Sequence, residues 1–358
     1  MQAKWLIAMK QSLLLTISLL TALCGYAQRT IRVAAGDAAD LLRAVEEANK
    51  LNESATAQRT FILIPNGFYD LGKTVLTRIT GNNIALIGQS MEGTIIQNAP
   101  DAANEGISKT AVFQNRGTGN YFQDLTLRNA LDYYSCGAAG RAVTLHDKGT
   151  RTICNRVRLL SFQDTYYSDN EECQHYFQDA EIHGTVDFIC GAGDVWFERC
   201  RIVTEKRNLD GHGRNVIAAP RTSKTPWGYI FHRCTVANDT SDFEYARGWH
   251  TTPHCIWLRT TLLSPEKLSK TRFDNRGMRT VQNDFKEYGT LDAGGHDITP
   301  ASNVVTFTLK EEQNPVETIL SDAEARRYSI KNVFTAWNPV KTLKKAEKKA
   351  AKLKRRYL

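Results

Sequence analysis

Phe177-Gln178-Asp179-Ala180-Glu181-Ile182 and, 20 residues later, Phe197-Glu198-Arg199-Cys200-Arg201-Ile202 share one pattern: an aromatic or apolar residue, then apolar residues three and five positions on. The pattern recurs at Phe122, Leu125, Leu127; Cys154, Val157, Leu159; Phe231, Cys234, Val236; and Trp257, Thr260, Leu262. Polar residues such as Thr126, Arg158, Glu181, Arg201 and Thr235 alternate with the apolar ones at a period of two, so each copy reads as a short strand. Successive anchors lie 32, 23, 20, 34 and 26 residues apart. That irregularity is expected of coils of about 20 to 25 residues carrying loops of variable length. Parallel strands stacked coil on coil bury a continuous apolar column that one repeat could not bury alone. The chain reads as all-β, a single-stranded parallel β-helix, although an antiparallel sandwich with strands at similar intervals shares the periodicity.

Upstream of the repeats, Leu41, Leu42, Val45 and Ala48 stand at helical spacing, which predicts a helix over 37–51 capping the first coil, with Asp37 or Asp40 as its N-cap. Downstream of Leu263 the repeat fades. Leu343, Ala346, Ala350, Leu353 and Tyr357 alternate steps of three and four among basic residues, an amphipathic basic helix. It reads either as a solvated helix packed on the solenoid's side or as a contact for a polyanion or an anionic membrane surface. At the other end, Lys4 and Lys10 precede an apolar run from Leu13 to Cys24, with Gly25 and Ala27 placed for cleavage after Ala27. The division is therefore 1–27 signal peptide, 28–340 β-helix and 341–358 basic tail, with a periplasmic or extracellular location. Leu23, where a small residue would be expected, argues against lipid anchoring at Cys24. No later stretch approaches the roughly 20 apolar residues of a spanning helix, so no transmembrane segment is expected.

The formal charge of +8 is concentrated at the C-terminal end. Residues 341–358 hold nine Lys or Arg against Glu347, and without them and the signal the body is near −2. The body therefore gives no electrostatic argument for nucleic acid. Seven cysteines follow the signal, an odd count with no Cys-x-x-Cys pair, so neither a dense disulfide framework nor a zinc site is indicated. Most read as small buried hydrophobes. The default oligomeric state is a monomer.

The repeat register also locates chemistry. Asp164 lies five residues after Leu159, and Asp187 five after Ile182, so the two acids are equivalent positions of successive coils. Stacked strands sit about 4.7 to 4.9 Å apart, which makes the carboxylates vertical neighbours. The same 23-residue step backwards reaches Arg141, in line with both. Two close carboxylates cannot easily both ionise, and separated pKa values supply an acid and a nucleophile at one pH. Stacked Asp residues that merely end strands or accept from loop amides would show the same spacing.

The segments around the acids resemble those of the pectin methylesterases, carbohydrate esterases that fold as right-handed parallel β-helices. Gly67-Phe68-Tyr69-Asp70 resembles the family's Gly-x-Tyr-acid segment, and Gln163-Asp164-Thr165-Tyr166-Tyr167 its Gln-Asp-Thr-Leu-Tyr. Gly184-Thr185-Val186-Asp187-Phe188-Ile189-Cys190-Gly191 resembles its Gly-Thr-Val-Asp-Phe-Ile-Phe-Gly, and Arg247-Gly248-Trp249 stands where the family has Arg-Pro-Trp. The resemblance implies hydrolysis of C6 methyl esters of galacturonate in pectin or methyl-esterified oligogalacturonides. Asp187 would be the nucleophile, Asp164 the acid and then base, Gln163 an oxyanion donor, and Arg247 the partner holding Asp187 ionised. Trp249 and Tyr167 would contact the sugar. No metal or cofactor is implied.

Three departures bear on specificity. Arg141 stands where the family has Gln, so it could donate to the oxyanion, bind a substrate carboxylate, or pair with Asp164 or Asp187 and hold both ionised. Cys190 replaces a family Phe, and Ala246 and Gly248 replace the Gly and Pro flanking the arginine. A catalytically silent pectin-binding β-helix is the reading from a different class, and a glycosidase or lyase acting on pectin-derived glycans is a third. A lyase would call for a calcium-binding acidic cluster that the sequence does not contain.

Overall fold

The computed structural model describes residues 29–136, 140–238, 241–250, 252–275, 280, 282, 284–309 and 311–358. The proposed signal peptide thus lies outside the described residues. Three parallel limbs wind around one core. Ten strands form the first limb, in the order 30–32, 60–64, 84–88, 121–129, 153–160, 174–178, 194–198, 229–232, 254–258 and 284–288. The second continues from it after a corner, through Glu181–Gly184, Arg201–Thr204, Thr235–Asn238 and Thr261–Leu262. The third is a separate seven-stranded parallel sheet of 77–79, 113–115, 145–147, 166–168, 186–191, 214–220 and 242–246. Every pairing within these limbs is parallel, and an antiparallel hairpin, Val304–Leu309 with Glu312–Glu317, follows the last coil. A parallel β-helix, not a sandwich, is what the repeat encodes.

The repeat anchors fall in register: Phe122 pairs with Cys154, Cys154 with Phe177, Phe177 with Phe197, Phe197 with Phe231, and Phe231 with Trp257. From Phe177 to Trp257 the ring centroids lie 5.0, 4.6 and 3.9 Å apart, the first pair tilted by 30° and the other two stacked. A second column, Leu127, Leu159, Ile182, Ile202, Val236 and Leu262, is buried beside it. One expectation is refined: the Phe122 and Cys154 copies each lie within one continuous strand, 121–129 and 153–160, whereas the other four copies are divided into two strands by a bend. The residue two after each anchor, Asp124, Arg156, Asp179, Arg199, Arg233 or Arg259, has a φ between 50° and 54°. This left-handed residue turns the chain from the first limb into the second. The corner consumes one side chain, which is why the apolar step is three there and two afterwards.

Helix α1 spans Ala38–Leu51, capped by Asp37 accepting from the Asp40 N–H, and buries Leu41, Ala44, Val45 and Ala48 over the first coil. Beyond the hairpin come two single-turn helices, α2 (Asp322–Ala325) and α3 (Ile330–Val333), and then α4, Pro339–Tyr357. These pack lengthwise on the outer face of the first limb, in a cluster running from Phe61 and Tyr121 through Trp196 and Ile230 to Leu258. Glu347 accepts from Arg156 at 2.6 Å, Lys354 donates to Asp124 at 2.7 Å, and Arg32 lies over the Tyr357 ring at 5.4 Å. All seven described cysteines are free, six of them buried. No helix among the described residues is long and apolar enough to cross a membrane.

Candidate active site

Asp164 and Asp187 sit at the corner that leads into the seven-stranded sheet, both in the left-handed region with φ of 58° and 52°. Asp accepts this conformation more readily than a branched residue. Tyr166 pairs with Ile189 and Tyr167 with Cys190, the 23-residue register that stacks Asp164 on Asp187. Gly184 is required just before: a Cβ there would lie 2.2 Å from Phe188 Cβ and 2.5 Å from the Phe162 carbonyl oxygen. Against the next strand the register slips by one between Val186 and Ile189. The extra residue bulges the strand at Asp187–Phe188 and re-aims the acid.

Arg247, reached from the strand ending at Ala246, grips Asp187 with two parallel bonds, Nε to Oδ1 at 2.8 Å and Nη2 to Oδ2 at 2.5 Å. Burial pushes the Asp187 carboxyl above the usual carboxylate range, and the Arg247 bonds oppose that push. Burial drives Asp164 further, well above its usual range, with the Asp187 charge adding to it and Arg141 and Arg247 pulling it back. The Cys190 thiol faces Asp164 Oδ1 at 3.9 Å. The pair is therefore asymmetric: Asp187 gives up its proton first, while Asp164 holds its own to higher pH.

Arg141 does not stand where the 23-residue step puts it. The coil before Asp164 runs at 21, Tyr166 pairing with Leu145, and Arg141 bridges to Gln163. Its guanidinium pairs with neither Asp164 nor Asp187 but with Glu105, through Nε at 3.0 Å and Nη2 at 2.7 Å. Only its longer-range charge reaches Asp164. Gln163 is half-buried between Arg141 and Asp164, its backbone carbonyl accepting from the Ala142 N–H at 2.9 Å.

The outward residues of the sheet form a strip in register: Arg78, Gln114, His146, Tyr167, Cys190 and Ala219. His146 stacks on Tyr167 at 4.7 Å, and Trp249 tilts over Tyr167 at 5.9 Å. Arg221 lies over both Tyr167 and Trp249, at 5.9 and 5.3 Å from the ring centroids. Asp169 gathers bonds from His146 Nε2 (3.0 Å), Lys148 Nζ (2.5 Å), the Tyr167 hydroxyl (2.8 Å) and Arg221 Nη2 (2.6 Å). Burial would raise its pKa, but these bonds outweigh burial and hold it low. Sequence reasoning missed Glu105, His146, Asp169 and Arg221. His146 was reachable, since it is the register mate of Tyr167, whereas Glu105 lies in an irregular segment with no repeat to place it. Among the described residues no group of three His, Cys, Asp or Glu could hold a metal ion.

The Pectinesterase family model matches residues 31–271. "Probable pectinesterase/pectinesterase inhibitor 42" of Arabidopsis thaliana is 31% identical over 191 residues, covering 53% of this chain and 34% of that protein. "Probable pectinesterase 50" of the same plant is 27% identical over 285 residues, covering 78% and 74%. The chain spans about a third of the length of five curated relatives that match at 30–31% identity. Among solved structures, pectin methylesterase PemA from Erwinia chrysanthemi superposes with a TM-score of 0.65 at 22% identity, over 87% of this chain and 98% of that one. The enzyme from carrot gives 0.65 at 18%, over 81% and 88%. The structures share the fold, and the match of the family model over two-thirds of the length, through both acids and Arg247, makes this chain a member of the pectinesterase family.

Proposed function

We propose that the chain hydrolyses C6 methyl esters of galacturonate in pectin or its methylated oligomers, outside the cytoplasm and as a monomer. One observation carries the reading: two buried carboxylates at equivalent positions of successive coils, one of them gripped by an arginine through two bonds. Asp187, ionised, attacks the ester carbonyl carbon and the carbonyl π electrons move to oxygen. The Gln163 amide, beside Asp164, donates to that oxyanion, and the Arg141 guanidinium adds positive charge on the same side. Collapse breaks the bond to the methoxy oxygen, which takes the Asp164 proton and leaves as methanol. Asp164, now a carboxylate, removes a proton from water as the water attacks the Asp187 acyl anhydride. The products are Asp187 as carboxylate, Asp164 again protonated, and a free galacturonic acid group, which loses its proton to solvent as galacturonate. Trp249 and Tyr167 offer aromatic faces to the sugar, and Arg141, side chain 43% exposed, remains able to meet a neighbouring uronate carboxylate.

The test is methanol release from highly esterified pectin and from short methylated oligogalacturonides. The mature chain should release methanol, and Asp187→Ala should lose at least about a thousandfold in rate, as removal of a nucleophile does. A folded protein that binds pectin and releases no methanol from either substrate would replace this reading with that of a silent binder.

A further inference from the structure

α4 carries its side chains in two stripes. Leu343, Ala346, Ala350 and Leu353 are buried against the solenoid, and Glu347 and Lys354 are tied to Arg156 and Asp124. These contacts suffice to dock the helix. The exposed residues Lys341, Lys345, Lys348, Lys352 and Arg355 follow alternating steps of four and three, one cationic stripe along about 21 Å of helix. They border a groove of about 830 Å³ that also takes in Arg59 and Phe61 of the first limb.

Arg59 is half-buried beside the Tyr121 ring, with Nη2 donating to the Gly119 carbonyl at 2.9 Å. Its Nη1 is buried with no acceptor among the described residues, and burial lowers its pKa to about 10. Two costs thus fall on one groove. Like charges three and four apart on a helix repel, and a buried guanidinium N–H without an acceptor keeps its desolvation penalty. An anion lying in the groove would relieve the first directly, and its charge would favour the recessed guanidinium beside it. The charges line a concave channel, with Arg59 recessed, so an extended polymer chain meets them where a flat lipid surface would not.

We infer that the groove between α4 and Arg59 binds a carboxylate-bearing polysaccharide, the de-esterified form of the polymer, on a face of the solenoid separate from the acid pair. The identity of the polymer rests on the function proposed above; the anion site itself does not. The full chain carrying Asp187→Ala is titrated with polygalacturonate at low salt, alone and with Lys345→Gln, Lys348→Gln and Lys352→Gln together. The triple substitution weakens binding by about tenfold or more and flattens its salt dependence. The corresponding triple change to Arg keeps the binding, and the Gln triple in the active chain leaves methanol release from a short methylated oligomer unchanged. Equal binding by the Gln triple and its parent overturns the inference. So does lysine-dependent binding to phosphatidylglycerol vesicles without binding to polygalacturonate. Failure of the esterase reading would show instead as absent methanol release with lysine-dependent polymer binding intact.

Discussion

Arg141 is one of the residues at which this chain departs from the motifs it resembles, and Glu105 decides what the departure does. Held by two bonds to Glu105, the guanidinium acts on Asp164 only through its charge, which lowers the proton affinity of the buried acid. In the proposed reaction kcat/KM rises with pH as Asp187 ionises and falls as Asp164 loses its proton. Removing the cation raises the Asp164 pKa, so Arg141→Gln should move the falling limb to higher pH. Glu105→Gln frees the guanidinium to approach the acids and should move the same limb to lower pH. Profiles of methanol release check both signs. Stability gives an independent reading of Asp164. A carboxyl whose folded pKa is raised costs nothing below the unfolded value of about 3.9, and its cost grows as pH rises toward the folded value. Asp164→Asn should therefore melt at a higher temperature than the parent at about pH 7, with the gap closing toward about pH 3.5. Asp164 and Asp187 were legible because the 23-residue step between their coils is regular, whereas Arg141 was misplaced because the preceding coil is shorter and Glu105 comes from outside the repeat.

At the scale of the element, the corners explain both what the repeat revealed and what it concealed. Apolar spacing identified the copies, yet the left-handed residue inside each is invisible to hydropathy, since Asp and Arg read as ordinary polar positions. The strand expected at each copy is bent at this residue, and in four of the six copies it is divided in two there. Four of the six corners are arginines, at which an L side chain in this region costs about 1–2 kcal/mol. A β-branched side chain fits worse, so Arg233→Val should lose about 1–2 kcal/mol in urea unfolding. Arg233→Gly relieves the backbone but loosens the unfolded chain, and should stay within about 1 kcal/mol of the parent. The corner of the second kind, where Asp164 and Asp187 reside, uses the same geometry to point carboxylates outward. Here a fold-building device and the proposed catalytic device are one backbone feature.

For the whole molecule, the aromatic stack through Phe177, Phe197, Phe231 and Trp257 joins four coils into one core. Trp257→Ala should cost about 3–5 kcal/mol, measured by urea unfolding, because neighbouring coils cannot close over the vacated volume without shifting the register of the stack. The course of the solenoid was legible from the repeat, and packing of the C-terminal helix on the solenoid's side was one of two readings of its sequence, while the limb it covers was not legible, since amphipathic spacing defines a helix face without saying what it meets. Stacked repeats ordinarily touch only their neighbours, and such chains fold from local contacts outward. Here residues 320–358 follow every coil in sequence and lie back along them, with Lys354 meeting Asp124 across 230 positions. That return gives a locally wired polymer a long-range clasp, whose loop must close before its contacts contribute. The coils can assemble early and in any order, but the clasp forms last, so refolding should end in a separate slower step that joins opposite ends of the chain.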